Sequence, residues 1–231
     1  MALTDVVPGV YQIGLGFVNV FLVEGAAGLT LVDSGTPGSQ DKILAGIRQA
    51  GRDPAEVERI VVTHLHGDHS GSLATLKAAT SAPAAMHPLD AQLVTAGEAM
   101  RPARPGPGLV NRLLVRLMGM MGTGQVAPAE IEQKLHDGQQ LWPDGLQVIY
   151  APGHTVGQVA LLLPGDHGGV LFAADTATNI FRLGYAPIYE NLAQGKETLR
   201  KLAGLEFEAA CFGHGGPLRT GAARRFREKW G

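Results

Sequence analysis

A single cysteine, Cys211, stands in 231 residues, which excludes an internal disulfide and a metal cage built on thiolates. Excess charge of either sign is also missing. Lys and Arg number 19 against 21 Asp and Glu, a balance that argues against a general nucleic-acid binder. With only 17% charged and 45% hydrophobic residues, disorder is excluded as the dominant state. Long apolar runs are absent: the most apolar helical stretch, Leu109 to Met121, is broken by Arg112 and Arg116 and is too short to span a bilayer. Met1-Ala2-Leu3-Thr4-Asp5 lacks the basic start and apolar core of a secretory signal, so a cytoplasmic chain is expected.

Glycine is plentiful, at 32 residues, and its even spread points to many tight turns between short strands. Strands are expected at Val10 to Ile13, Val18 to Val23 and Leu29 to Val32, then a helix capped by Ser39 and stopped at Gly51. A strand at Ile60 to Thr63, a helix around Leu73 to Lys77 and a strand at Ala84 to His87 follow. Asp90 to Met100 reads as a helix, Arg101 to Gly108 as a Pro- and Gly-rich loop, and Leu109 to Met121 as a second helix. Beyond Gly124 the pattern returns to strands, at Gln147 to Ala151, Gln158 to Leu163 and Val170 to Ala174, with a turn at Gly165 to Gly169. Glu190 to Leu202 is expected helical, Ala209 to Phe212 a strand and Gly221 to Lys229 a closing helix. Two β-rich halves, each finished by helices, suggest an α/β fold with sheets packed face to face and helices outside. One domain over 1–231 is expected, with a helical insert at about 90–124.

The chemistry concentrates in Thr63-His64-Leu65-His66-Gly67-Asp68-His69-Ser70, directly after an apolar strand. Imidazole nitrogens and carboxylate oxygens are ligands for zinc, iron or manganese. On an extended backbone His64 and His66 point the same way, and the turn at Gly67 redirects Asp68 and His69. Two ligand pairs aimed at neighbouring points suit two metals a few Å apart. His154, Asp175 and His214 each follow the end of a strand and are the candidates to complete the set.

That ordered series resembles the metallo-β-lactamase superfamily, over nearly all of the chain outside the insert. Asp33 at a strand end, the His64 to His69 signature, Gly153-His154, Asp175 and Gly213-His214 run in family order. The resemblance implies a four-layer αββα sandwich of two mixed β-sheets flanked by helices. It implies His64, His66 and His154 on one metal, Asp68, His69 and His214 on a second, and Asp175 bridging both. Asp33 would support the ligands from behind. The complete Asp-His-His second set is most similar to that of the glyoxalase II-like hydrolases and related lactonases. The long C-terminal helical region with which true glyoxalase II holds glutathione has no counterpart after His214.

The activity expected is therefore a hydrolase holding two zinc ions, with iron or manganese as alternatives. It would cleave a carboxylic ester, thioester or lactone by a metal-bound hydroxide, with Asp68 and Asp175 placed to accept a proton. A mononuclear iron persulfide dioxygenase, using His64, His154 and Asp175, and a β-lactamase are the alternatives. The partner expected is a small molecule bearing a carbonyl, neither nucleic acid nor membrane. Leu109, Leu113, Leu117 and Met121 form a wide apolar stripe, expected to pack on the domain or in a homodimer, or to act as a lid over an apolar acyl chain. His87 and Cys211 are expected to serve packing, His136 and His167 to be exposed, and Arg219 to Lys229 to form a solvated basic face. Tyr185 and Tyr189 are candidates to present a hydroxyl to substrate.

Overall fold

Side chains alternate across a strand, and in the computed structural model of this chain both faces of two sheets are used. The structure describes residues 2–26, 28–108, 111, 115, 124–141, 145–166 and 168–231. The first sheet holds β1 (Ala2–Val7), β2 (Val10–Gly14), β3 (Asn19–Gly25), β4 (Gly28–Val32), β5 (Val57–Val61) and β6 (Ala84–Met86) in that order. The two-residue β7 (Arg104–Pro105) pairs elsewhere, and β8 (Gln133–Lys134) closes the sheet beside β6. Strands β1 to β4 run antiparallel; β4, β5, β6 and β8 run parallel. The second sheet has β9 (Gln147–Tyr150), β10 (Val159–Leu163), β11 (Val170–Phe172) and, parallel to β11, β15 (Ala209–Cys211). Between these in the chain, β12 (Ala177–Thr178) pairs with β13 (Gly184–Tyr185), and β14 (Ile188–Tyr189) pairs with β7.

Three apolar clusters reveal the layers. Val20 and Leu22 of β3 face outward, against Ile43 and Ile47 of α1 (Gln40–Gln49), Leu73 and Leu76 of α3 (Leu73–Thr80) and Val94 of α4 (Pro88–Thr95). The short α2 (Gly67–Ser70) precedes α3. Their neighbours Phe21 and Val23 face inward and meet Val159, Leu161 and Phe172 of the second sheet, with the Phe21 and Phe172 rings edge to face at 5.6 Å. On the far side Ala160, Leu171 and Ala210 pack under α5 (Leu192–Ala203) and α6 (Ala222–Trp230) through Leu199, Leu202 and Phe226. The expected four-layer αββα sandwich of mixed sheets is the fold observed.

Several expected boundaries move. Strand β1 has no counterpart in the sequence reading, because Thr4 and Asp5 interrupt its apolar pattern. Ser39 stands before α1, but its hydroxyl lies 2.8 Å from Thr36 Oγ1 and makes no capping bond to the helix. The helix expected from Asp90 begins at Pro88, which His87 caps by accepting from Leu89 N, and it ends at Thr95. Gly97 then takes a left-handed φ of 82° and Glu98 N–H donates back to Leu93 O, so Met100 is never reached. Strand β11 stops at Phe172 because Ala174–Thr176 turns into a short 3₁₀ helix. Apart from Asn111 and Val115, the helix expected at Leu109 to Met121, and with it the lid and homodimer expectations, lies outside the described residues, as does His167.

Phe172 touches both sheets, and truncation leaves a hole that neither can close. Phe172→Ala is expected to cost about 3–5 kcal/mol in urea unfolding. A loss below about 1 kcal/mol would contradict the packing of the sheets on this ring.

Candidate metal centre

The loops leaving β5, β9, β11 and β15 converge, and they bring all seven side chains named from the sequence together. Backbone bonds fix the meeting: Val159 N–H donates to Thr63 O at 2.9 Å, Asn19 N–H to Gly213 O at 2.9 Å and Ser34 N–H to His69 O at 2.7 Å. His66 stands at the N-terminus of α2, so the chain turns between it and Asp68 as the Gly67 argument requires.

His64, His66 and His154 form a nearly orthogonal trio, with ring centroids 4.6–4.8 Å apart and interplanar angles of 84–86°. Potential ligand atoms of this trio lie within 4.8 Å of one another, as do those of Asp68, His69 and His214, and those of His64, His69 and Asp175. Asp175 reaches both groups. Its Oδ2 lies 3.6 Å from His154 Nε2 and 3.1 Å from His214 Nε2, and its Oδ1 lies 3.6 Å from His69 Nε2. Asp68 Oδ2 is 3.3 Å from His214 Nε2.

The far nitrogens of four rings are held by groups outside the set, while His66 Nδ1 faces His154 Nε2 at 2.9 Å. His64 Nδ1 faces Thr63 Oγ1 at 3.0 Å and His69 Nδ1 faces Asp33 Oδ2 at 2.8 Å. His154 Nδ1 and His214 Nδ1 face the carbonyls of Ile188 and Phe17, at 2.8 and 2.7 Å. Such partners fix ring orientation and tautomer. Asp33 also accepts from Thr63 N and Oγ1, the supporting place expected of it, and takes a left-handed φ of 69° to do so. Gly213 is required here: a Cβ would fall 2.1 Å from Asp175 Oδ1.

Burial pushes the His64, His66 and His154 pKa values down, to about 3 for His66, so these imidazoles are neutral and able to accept a cation. Burial opposes charge on His69 as well, but Asp33, Asp68 and Asp175 overcome it and push its pKa up to about 9. His214 is likewise raised, by Asp175 and Asp68 against burial. The same histidines hold both carboxylates below the usual range despite burial. Among the described residues, His64 Nε2, His66 Nε2, His69 Nε2 and Asp175 Oδ1 are buried with no hydrogen-bond partner. Three of these belong to one potential ligand group, His64, His69 and Asp175. The neutral imidazoles of the trio, the ionised carboxylates and the unsatisfied buried atoms together form a donor set that fits a divalent cation.

The sequence reading missed a second layer. Asp90, fully buried in the first turn of α4, bonds to the loops on both sides of the histidine trio, with Arg101 and Glu190 behind it. Its only sequence signal was a carboxylate on the apolar face of a helix. Asn19 was missed too; its side chain donates to Phe212 O and Gly215 O and so ties down the His214 loop. The remaining candidates do not join the site. Tyr189 is buried and its hydroxyl is engaged by Thr176 O and Ala186 N, while Tyr185 packs on Trp230. His87 stacks on Tyr150, His136 is exposed and Cys211 lies between the sheets. Arg219, Arg224 and Arg227 lie at the surface, each bonded to a nearby oxygen. No described helix is long and apolar enough to cross a membrane.

On its open side the site has an apolar rim. Phe17, 64% exposed, stacks on His214 with its ring 5.9 Å away and nearly parallel. Ile180 and the 94% exposed Phe181 follow Asn179, whose N–H donates to His214 O.

Comparison with known proteins agrees with this geometry. The family described as the metallo-beta-lactamase superfamily matches residues 13–214. A probable metallo-hydrolase of Bacillus subtilis, YflN, is 28% identical over 91% of this chain and 85% of its own length. A hydroxyacylglutathione hydrolase of Albidiferax ferrireducens is 32% identical over 77% of this chain, but the match spans only 55% of that enzyme. Among solved structures, the subclass B3 metallo-beta-lactamase BJP-1 of Bradyrhizobium japonicum has a TM-score of 0.73, with 18% identity over 100% of this chain and 90% of that one. That likeness speaks to fold alone. The fold and the His and Asp clusters imply a metal cofactor. The chain belongs to the metallo-beta-lactamase superfamily and is a metal-dependent hydrolase.

Proposed function

We propose that this hydrolase is dinuclear and cleaves a carboxylic ester, thioester or lactone of a small molecule. The observation that carries the reading is the position of Asp175, whose two oxygens reach His154 on one side and His69 and His214 on the other. His64, His66 and His154 would hold one ion, Asp68, His69 and His214 the other, and Asp175 would bridge them. Zinc suits imidazole and carboxylate donors in this number. When bound, the metal supplies a Lewis acid for the carbonyl oxygen and a water ionised near neutral pH.

The chain's own groups do the rest. Asp68, 22% exposed and beside His214, is the carboxylate nearest the open side. It would orient the attacking hydroxide and pass that hydroxide's remaining proton, once it has added to the carbonyl, to the leaving oxygen or sulfur. The supported rings of His64, His69, His154 and His214 keep the donor atoms from turning away. Phe17, Ile180 and Phe181 offer an apolar surface to a substituent of the substrate. A complete Asp-His-His second set distinguishes this reading from the single-iron dioxygenase, which would leave Asp68 and His214 without a task.

Protein purified without chelator should carry close to two equivalents of metal, mostly zinc, by elemental analysis. An active, folded protein with less than half an equivalent would refute the reading, and one iron with oxygen uptake would replace it. Asp68→Ala should keep the circular dichroism of the wild type and lower kcat/KM by about three orders of magnitude, ~4 kcal/mol of barrier. Activity retained within about tenfold would make the second set dispensable. Across a series of acyl esters, kcat/KM should rise with chain length by at most about 0.8 kcal/mol per CH₂, and Phe17→Ala combined with Phe181→Ala should flatten the rise. A flat wild-type profile would remove the apolar rim from substrate binding.

A further inference from the structure

The histidine trio comes from two separate loops, one carrying His64 and His66 and the other His154, and a single carboxylate is bonded to both. Asp90 Oδ2 accepts from Leu65 N, between His64 and His66, at 3.1 Å, and from Thr155 Oγ1, next to His154, at 2.7 Å. Its Oδ1 accepts from Gly157 N at 3.1 Å and from Arg101 Nη1 at 2.5 Å. The loop can approach so closely only because residue 157 is glycine: a Cβ there would lie 2.5 Å from Asp90 Cγ.

Arg101 completes the arrangement. It also donates to Leu89 O and lies 3.4 Å from Glu190 Oε1, while Glu190 Oε2 accepts from Val156 N at 2.8 Å. Glu190 N–H in turn donates to His154 O at 3.0 Å. A fully buried carboxylate is strongly unfavourable unless paired and hydrogen-bonded, and here every contact is spent on the two ligand loops or on the arginine that balances the charge. None of these groups belongs to the seven side chains of the centre.

We infer that Asp90 is a positioning residue for the metal centre: through Leu65, Thr155 and Gly157 it sets the distance between the His64–His66 loop and the His154 loop. This rests on the dinuclear reading above. Its direct bonds fall on the loops of the trio, whereas His69 and His214 are held by Asp33, by Phe17 O and by the bonds of Asn19.

The test titrates zinc-loaded protein with a chromophoric chelator and measures kcat and KM on an ester the wild type turns over. In Asp90→Asn one equivalent of zinc should bind about 10–100-fold more weakly while the other keeps its affinity. The kcat should fall by a similar factor with KM unchanged. Thr155→Val keeps the carboxylate and removes one bond to the same oxygen; it should weaken the same equivalent by a smaller factor, and it serves if Asp90→Asn does not fold. Wild-type affinity for both equivalents in the variants overturns the inference and leaves the dinuclear reading standing. Loss of both equivalents in proportion to the unfolded fraction overturns it equally, since that is the mark of a structural role. Wild-type protein that takes up no zinc overturns both.

Discussion

A carboxylate buried as deeply as that of Asp175 persists as an anion only where positive charge faces it, and the edge of both sheets is arranged to supply that charge. His69, His154 and His214 surround it at 3.1–3.6 Å. Without a cation the balance falls on protons shared among imidazoles, which is why His69 and His214 are drawn upward while His64 and His66 are driven down. A bound divalent cation would let the rings be neutral and the carboxylates ionised, and would meet the nitrogens that the protein leaves unpaired. The rest of the fold answers to this constraint, because five rings and two carboxylates must be brought to one place and kept from relaxing.

That restraint is distributed through the layers. Thr63 and Asp33, at the ends of neighbouring parallel strands, hold His64 and His69. Carbonyls from the loop before β3 and from β14 hold His214 and His154. Each is a backbone atom or a short side chain on a strand or next to one, so the rings inherit the rigidity of the sheets. Between the two sheets that carry these groups, Phe21 and Phe172 pack edge to face. Packing energy is converted into ligand geometry, which a loop-borne site could not obtain from loops alone.

The centre was legible in the sequence because its chemistry is local. Four of the seven side chains fall within six residues, and the other three each mark a strand end. The layer order was also legible, since Val20-Phe21-Leu22-Val23 carries apolar residues to both faces and demands cover on each. What stayed hidden depends on long-range pairing. Asp90 is close in sequence to neither His64 nor His154, and a lone acid after His87-Pro88 reads as a helix start. In β1 the adjacent Thr4 and Asp5 break the apolar alternation, and it is the pairing with β2 that makes it a strand. Tyr189 invites a catalytic role by its place after Asp175; its ring instead turns into the space left by Gly195, and both hydrogen-bonding directions of its hydroxyl are spent on backbone.

The two halves of the centre differ in access, and the difference assigns them different tasks. His64, His66 and His154 are closed off by the sheets and by the Asp90 network, whereas Asp68 and His214 retain 22% and 12% of their side-chain exposure. Among the described residues of the centre, Asp68 and His214 are the ones that face solvent. The aromatic face of Phe17 lies on His214, and the exposed Ile180 and Phe181 follow Asn179, whose N–H is bonded to His214 O. The trio is thus the buried anchor of the centre, and Asp68 with His214 is its face to solvent.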